Sequence, residues 1–274
     1  MNLLNRPLLL LSALMTVLPG SAQPPAVPGA KLQALIITGV DSHDWRGVTA
    51  HFRRILEATG RFEVRVTEEP RGAGSETFVP YDVAILVYSD AHAPEVHWSR
   101  QTKSALLDFV RSGKGLVLYH HSSGAFAKDN WEEFEKLCGG IWRPGNGQHS
   151  KAHDFTVTIR DTNHPIARGL KPTFVQTNDE LYANMKFQSA GSYHVLTTAY
   201  DEPTLYDEGT ARQPFPAPGV EQPLLWTVDY GKGRVFATMI GHNLPAASTP
   251  GFVATFVRGT EWAATGAVTL PAAP

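Results

Sequence analysis

Hydrophobic positions in the first half of the chain follow two spacings in turn, one typical of strands and one of helices. Short apolar runs typical of buried strands lie at 31–39, 62–66, 81–88 and 115–119. Apolar residues at helical spacing lie at 45–59, 98–112 and 130–137. This β-α-β-β-α-β-α order predicts an α/β fold with a doubly wound, mostly parallel sheet and helices on both faces.

The second half of the chain has a different character, because strands follow one another with little helix between them. Strands are predicted at 155–159, 194–198, 223–228 and 233–240, and a terminal helix at 249–264. The proline-rich and charged stretch 207–219 is predicted to be a surface loop. Residues 31–270 are therefore expected to form one domain.

The first 22 residues have the pattern of a secretory signal peptide. Arg6 precedes an apolar run at 8–18, and Gly20, Ser21 and Ala22 supply small residues for cleavage after Ala22. The apolar run is shorter than a spanning helix needs, so stable membrane insertion is not expected after the signal is removed, although an uncleaved anchor is an alternative. Residues 23–30 then form a proline-rich tether. We expect an exported protein, periplasmic or extracellular.

Charge and cysteine content exclude two classes of protein. The net charge of −2 gives no electrostatic reason to expect nucleic-acid binding. Cys138 is the only cysteine, so the chain has no disulfide framework. Cys138 ends a helical pattern, and we expect it to be a buried structural residue. The sequence carries no signal for an oligomeric state.

Two adjacent histidines, His120 and His121, follow the strand at 115–119, where doubly wound folds place ligands and catalytic groups. If the strand continued through them, their side chains would point in opposite directions and only one would enter a given pocket. Ser122 and Ser123 are expected to cap a following helix. A hydrolase that uses Ser122 is a weaker alternative, because no Gly-x-Ser-x-Gly pattern surrounds it.

Other histidines lie at predicted loops and strand ends, and imidazole is a common metal ligand. His149 and His153 lie in a glycine-rich loop, and His242 follows the strand at 233–240. We expect these three to be candidate ligands for a divalent metal, with zinc the best match. His92 and His97 are expected to be ordinary loop residues.

Acidic and aromatic residues complete the candidate site. Glu180 is the favoured ligand or general base, ahead of the adjacent Asp179. The full prediction assigns catalysis to His120, His121, Glu180 and His242, and substrate binding to His43, Trp45, Trp142, Asp179 and Tyr182. The two tryptophans offer surfaces on which a sugar ring can stack, although either can equally belong to the core.

Seven motifs follow one another along the chain: ITGVDSHDW, GKGLVLYHHSS, GGIW with the following His149, DTNHPIARGL, NDELY, YGKGRVFATMIGH and RGTEWAA. In this order they resemble the ThuA-like (trehalose utilisation) family, and the resemblance spans about 31–270. The resemblance implies the flavodoxin-like fold of class I glutamine amidotransferases. Those enzymes carry a cysteine nucleophile after the central strand, where this chain has His120 and His121, so glutaminase chemistry is not implied.

The family resemblance also implies a substrate class. It links the chain to disaccharide and 3-keto-glycoside catabolism, associates some members with a metal ion, and implies no nucleotide cofactor. We therefore expect a small carbohydrate substrate and an enzyme with a His/Glu pocket, as a hydrolase or lyase. The alternative is a sugar- or partner-binding module that keeps the scaffold without the chemistry. Convergence of the candidate residues in one enclosed pocket favours the enzyme.

Overall fold

Nine strands form the central sheet in a computed structural model that describes residues 30–93, 97–205 and 219–272. All the strands, including four two-residue ones outside this sheet, are β1 Leu32–Ile37, β2 Phe62–Thr67, β3 Val83–Leu86, β4 Gly115–Tyr119, β5 Gly140–Ile141, β6 Gln148–His149, β7 His153–Ile159, β8 Thr173–Asp179, β9 Tyr182–Ala183, β10 Lys186–Phe187, β11 His194–Tyr200, β12 Glu221–Tyr230 and β13 Gly233–Thr238.

The central sheet has a parallel part and an antiparallel part. Its strand order is β2-β1-β3-β4-β13-β12-β11-β7-β8. The first five of these pair in parallel, with Leu86 opposite both Ile37 and Leu118 in register. The last four extend the sheet through antiparallel pairs. The carboxyl ends of β1, β3, β4 and β13 therefore meet at one edge.

Helices cover both faces of the sheet. They are α1 Trp45–Ala58, α2 Ser75–Phe78, α3 Arg100–Arg111, α4 Glu132–Cys138 and α5 Pro250–Thr265. Helices α1 and α5 contact each other on one face, and α3 contacts α2 and α4 on the other. Val48, Phe52 and Leu56 show why α1 forms, because their helical spacing buries one face of the helix.

The predicted doubly wound, mostly parallel α/β fold is confirmed, and its elements lie within a few residues of the predicted bounds. Strand β8 is the main element that the sequence pattern missed. Its buried positions include the polar Gln176 and Asp179, whereas Val175 on the same strand is 55% exposed. This reversal of the usual polarity hides the strand from a search for apolar alternation.

Three sequence predictions concern residues that the structure does not describe. The predicted signal peptide at 1–22 and the tether up to residue 29 lie outside the described residues, as does nearly all of the loop predicted at 207–219. Among the described helices, none has the length and apolar character needed to cross a membrane.

Cys138 is fully buried at the end of α4, and its carbonyl oxygen accepts a hydrogen bond from Trp226 Nε1 at 2.8 Å. Burial raises the pKa of the Cys138 thiol far above its ordinary value, so the reactive thiolate is suppressed.

We expect the Cys138 thiol to resist an aromatic disulfide reagent in the folded protein and to react fully once urea unfolds the chain. Replacing Cys138 by Ala should cost about 1 kcal/mol of stability and leave function intact. Rapid labelling of the native protein would show that the thiol is accessible and contradict the structural assignment.

Candidate functional site

The candidate site lies where the carboxyl ends of four neighbouring parallel strands meet. Asp41 and His43 follow β1, Asp90 follows β3, His120 and His121 follow β4, and His242 follows β13. Parallel strands in a sheet lie about 4.8 Å apart, so side chains from adjacent strand ends can reach one another. This edge is where open α/β sheets bind ligands.

The chain turns sharply after β4, and this turn brings both histidines into the site. Residues His120–Gly124 form a 3₁₀ helix, and His120 has a positive φ of 39°. The strand does not continue through the two histidines, yet only one of them reaches the cleft, as expected: His121 lines it, whereas His120 is fully buried and joins the cluster behind it. Both rings contact His43, whose ring centroid lies 5.8 Å from that of His120 and 4.3 Å from that of His121.

Ser122 fixes this turn instead of capping a following helix. Its hydroxyl donates to Leu86 O at 2.8 Å and accepts from Tyr88 N at 3.0 Å. Both bonds tie the turn to the end of β3. The hydroxyl proton is donated to a backbone carbonyl and not to a histidine base, so the geometry does not support Ser122 as a nucleophile.

Asp41 connects two of the histidines. One carboxylate oxygen lies 2.7 Å from His43 Nδ1, and the other lies 2.5 Å from His121 Nε2. The Asp41 side chain is fully buried. A carboxylate that accepts the Nδ1–H of His43 leaves Nε2 of this ring as a free lone pair, which is the usual arrangement behind a metal-ligating histidine.

His120 is oriented by the backbone of Met239, the residue that follows β13. Its Nδ1 lies 2.8 Å from the carbonyl oxygen of Met239. Because a carbonyl only accepts, Nδ1 carries the proton and Nε2 presents a lone pair. The preceding residue, Tyr119, donates its hydroxyl to the carbonyl oxygen of Gly241, which holds the ends of β4 and β13 together.

Asp179, at the end of β8, binds the backbone on both sides of the site. Its carboxylate accepts hydrogen bonds from Gly241 N at 2.6 Å, His242 N at 2.9 Å and Glu180 N at 2.9 Å. Gln176 Nε2 donates a further bond at 2.8 Å. The structure thus places Asp179 behind the cleft, fully buried, where it orients its neighbours; the predicted contact with substrate does not match this position.

Glu180 is the carboxylate at the centre of the site. Its Oε2 lies 2.9 Å from His242 Nδ1 and 3.9 Å from His120 Nε2, while its Oε1 lies 3.3 Å from His149 Nδ1. Its side chain keeps 15% of its area exposed to the cleft. Glu180 can therefore share a metal ion or exchange a proton with a ligand.

The protonation states follow from burial and neighbouring charge. Burial opposes ionisation of Asp41, but His121 and His43 outweigh it and hold the pKa of Asp41 well below its usual value. Burial, with the neighbouring histidines, lowers the pKa of His120 far below 6.5. Burial also lowers the pKa of His121, against the opposing effect of Asp41. His242 is the exception, because Glu180 outweighs burial and raises its pKa.

The residues present fit a divalent metal ion. Ligand atoms of His43, His120, Glu180 and His242 all lie within 4.8 Å of one another, and Asp41, His43 and His121 form a second, overlapping group. Among the described residues, five buried atoms here have no aligned hydrogen-bond partner: Asp41 Oδ2, His120 Nε2, His121 Nδ1, His121 Nε2 and His242 Nδ1. Asp41 Oδ2 and His242 Nδ1 still lie close to His121 Nε2 and Glu180 Oε2, whereas His120 Nε2 is 3.9 Å from Glu180, the contact that a bound ion could best complete. Nitrogen with one carboxylate oxygen is a donor set that zinc prefers.

The predicted metal ligands divide into two groups. His242 belongs to the four-residue cluster, and His149 contacts Glu180 at its rim. His153 lies outside both clusters, because its Nδ1 is bound to Lys151 O at 2.8 Å and to Ser150 Oγ at 3.1 Å. The ligand role predicted for His153 therefore does not match its position.

A cleft of about 700 Å³ opens in front of the histidine cluster. Its walls include His43, His121, Trp142, His149, Glu180 and Tyr182. Trp45 is absent from the walls, since it is buried at the start of α1 with the Arg46 guanidinium 4.0 Å from its ring; its predicted sugar contact is not supported. His92 and His97 do line the cleft, so their description as ordinary loop residues was wrong.

Sequence reasoning missed three polar residues of the site, Asp41, Asp90 and Arg143, and assigned a fourth, Ser123, to helix capping. Asp41 lies two positions before His43, and Asp90 follows the predicted strand 81–88. Ser123 and Arg143 line the cleft, and within the described part of the chain Ser123 Oγ and Arg143 Nη2 have no hydrogen-bond partner. Asp41 and Asp90 could have been identified from their positions just after apolar strands, because these strands end at the same sheet edge as the predicted histidine site.

The fold and site define an α/β protein with a histidine-rich cleft, and comparison assigns its family. The family model described as ThuA, trehalose utilisation, matches residues 33–263. Because this is most of the sequence, the chain belongs to the ThuA family. No curated protein matches the chain significantly.

Solved structures agree with this assignment. A ThuA-like protein from Parabacteroides merdae superposes with a TM-score of 0.74 and 30% identity, covering 88% of this chain and 93% of that chain. A second, from Bacteroides uniformis, gives a TM-score of 0.67 at 17% identity, covering 88% and 95%. A β-galactosidase from Rahnella sp. R3 gives 0.52 at 13% identity, covering 88% of this chain but 32% of that chain. The last two likenesses show the fold alone.

We expect replacement of Asp179 by Ala to cost about 3 kcal/mol, because three backbone N–H groups lose a buried charged acceptor. Asp154 provides a matched control, since it accepts one exposed backbone bond from Asn178 at 2.8 Å, and its replacement by Ala should cost less than about 1 kcal/mol. Urea unfolding measures both. Equal losses would mean that Asp179 is not the anchor of the site.

Proposed function

We propose that the protein is a metal-assisted enzyme of carbohydrate catabolism, exported as its N-terminal sequence indicates. The convergence of ligand atoms from His43, His120, His242 and Glu180 carries this proposal, because two of these residues, His43 and Glu180, also line the cleft. Histidines that serve only solubility lie on the surface, whereas His120 is fully buried and its Nε2 has no aligned partner among the described residues. An enclosed site with perturbed histidines is the usual setting of acid–base or metal chemistry.

The cleft suits a substrate about as large as a disaccharide. Its volume of about 700 Å³ lies well inside the range of small-molecule sites. Trp142 and Tyr182 contact each other edge to face, with ring centroids 4.8 Å apart, and give the wall an apolar surface beside polar groups. A sugar presents the same combination, with apolar C–H faces and a rim of hydroxyl groups.

The family description, trehalose utilisation, directs the choice of substrate towards glycosides, and we propose 3-keto-glycosides as the class. A ketone at C3 acidifies the proton at C2, so a modest base suffices to remove it. When bound, a divalent ion polarises a carbonyl or hydroxyl oxygen. His43, His120 and His242 would hold the ion, and Glu180, with an oxygen facing His149, would accept the C2 proton.

Removal of the C2 proton leads to elimination of the group at C1. The electron pair of the C2–H bond forms a C1–C2 double bond, and the pair of the C1–O bond leaves with the aglycone oxygen. The products are an unsaturated keto sugar and an alcohol. Addition of water to the former would make the overall reaction a hydrolysis.

We expect the purified protein to contain about one divalent ion per chain, with zinc favoured, and to cleave keto-disaccharides in preference to unoxidised ones. Replacing His242 by Ala should lower metal content and reduce kcat/KM by roughly 10²-fold or more, because it removes a ligand from the cluster. Replacing His194 by Ala should change neither, since His194 lies on the surface paired with Asp161.

Elemental analysis and a screen of oxidised and unoxidised disaccharides measure these outcomes. Metal-free protein that is fully active would contradict the metal assignment. Binding of sugars without turnover would instead support the alternative, a binding module.

We expect metal affinity to fall as the pH decreases from about 8 to 6. A proton on His242 competes with the ion, and Glu180 raises the pKa of His242, so the competition begins above the ordinary histidine value of 6.5. Below that pKa, affinity should fall about tenfold for each pH unit. Competition with a fluorescent chelator measures the slope. A flat profile across this range would show that the metal ion and a proton do not compete for His242.

A further inference from the structure

Asp90 is the one carboxylate of the cleft that the metal cluster and its supporting bonds leave unused. It follows β3, which lies between β1 and β4 in the sheet. Ser89 N donates to Val40 O at 2.9 Å, and Phe126 N donates to Asp90 Oδ1 at 2.7 Å. Asp90 is thus fixed between the loop that carries Asp41 and the segment that follows the His120–Gly124 turn.

The Asp90 carboxyl group is buried yet reaches the cleft. The residue is 7% exposed and belongs to the cleft wall. No described cation lies within ion-pair distance, and Phe126 N is the only described donor from another residue to its carboxylate. The second oxygen is therefore free to meet a ligand, and a buried acid without a cation favours its neutral form.

Several charged groups surround Asp90. Burial raises the pKa of Asp90, and the negative charge of Asp129 adds to this effect. The backbone donor at Phe126 and the imidazole of His97 act in the opposite direction but do not cancel it. Lys128 and His92 also line this end of the cleft. The balance favours a carboxylic acid that can give up a proton when a substrate oxygen needs it.

We propose that Asp90 is the general acid that protonates the leaving aglycone oxygen. The inference rests on the proposed function. Glu180 takes the C2 proton, the C1–C2 double bond forms, the C1–O bond breaks, and the Asp90 O–H proton moves to the oxygen that departs. Asp90 ends as a carboxylate and Glu180 as an acid, and solvent exchange restores both.

The division of labour follows from position. Glu180 follows β8 and His121 follows β4, whereas Asp90 follows β3, and all three line the cleft. Gly124 lies in the cleft wall near both sides, because a Cβ built on it would lie 3.9 Å from Ser89 Oγ and 4.0 Å from Trp142 Cβ. Gly124 also lines the cleft, so a glycosidic bond placed beside it would meet a base and an acid that come from different strands.

The test compares two 3-keto-glucosides in wild type and Asp90→Asn. With methanol as the leaving group, departure needs a proton, and the variant should lose roughly 10²- to 10⁴-fold in kcat/KM. With 4-nitrophenol, the leaving anion is stable on its own, and the loss should be within a few-fold. The wild-type methyl-glucoside rate should also fall as pH rises through the pKa of Asp90, and the variant should lack this limb.

Asparagine keeps the acceptor for Phe126 N, so the fold and metal content should be unchanged, as the thermal midpoint and elemental analysis would show. Asp161→Asn, which removes a surface carboxylate, should behave as wild type on both substrates. Equal losses on the two glucosides, or no loss on either, would overturn the role of Asp90 while leaving the proposed function intact. A wild type that binds metal but cleaves neither glucoside would overturn both.

Discussion

The buried carboxylate of Asp179 is the interaction on which the site depends. A buried carboxylate is costly unless several donors surround it, and here three backbone N–H groups and the Gln176 amide do so, although burial still raises the pKa of Asp179 above its ordinary value. These donors come from β8, from the residue after it and from the segment that follows β13. One carboxylate therefore joins the antiparallel extension of the sheet to its parallel part. Glu180 and His242, two of the three residues whose backbone N–H groups it accepts, face each other at 2.9 Å as a result.

The same anchoring explains why Gly241 stands next to His242. Its φ is +97°, and a Cβ there would lie 2.5 Å from the Phe252 ring. Only glycine adopts this conformation without strain while α5 packs so closely. The peptide that presents its N–H to Asp179 is therefore fixed from both sides, by the carboxylate and by the aromatic core. The position of the His242 ring follows from this rigid backbone.

Much of the fold was predictable because apolar periodicity reports burial, and burial defines the strands and helices of the parallel half. Strand β8 escaped detection because its inward face carries Gln176 and Asp179, which serve the site and not the core. The position of the histidines was also predictable, since strand ends meet at one edge. The orientation of each ring nitrogen was not predictable, because the turn at His120 depends on the bond from Ser122 to Leu86 and on the Met239 carbonyl, and both Leu86 and Met239 are distant in sequence. The role of Asp41 is visible only in the structure, where its carboxylate lies between the rings of His43 and His121.

Membership of the ThuA family describes the scaffold better than the chemistry, as the shared fold with part of a β-galactosidase illustrates. The cluster draws on residues from Asp41 to His242, so nearly the whole chain must fold before the ligand set exists. The ligand set is therefore complete only when β13 is paired with β4. A truncated or partly unfolded chain would offer an incomplete set, and a ligand that needs the full set stabilises only the finished molecule by mass action. Ion binding would then favour fully folded chains during maturation, because it would stabilise them against proteases and leave incompletely folded chains unprotected.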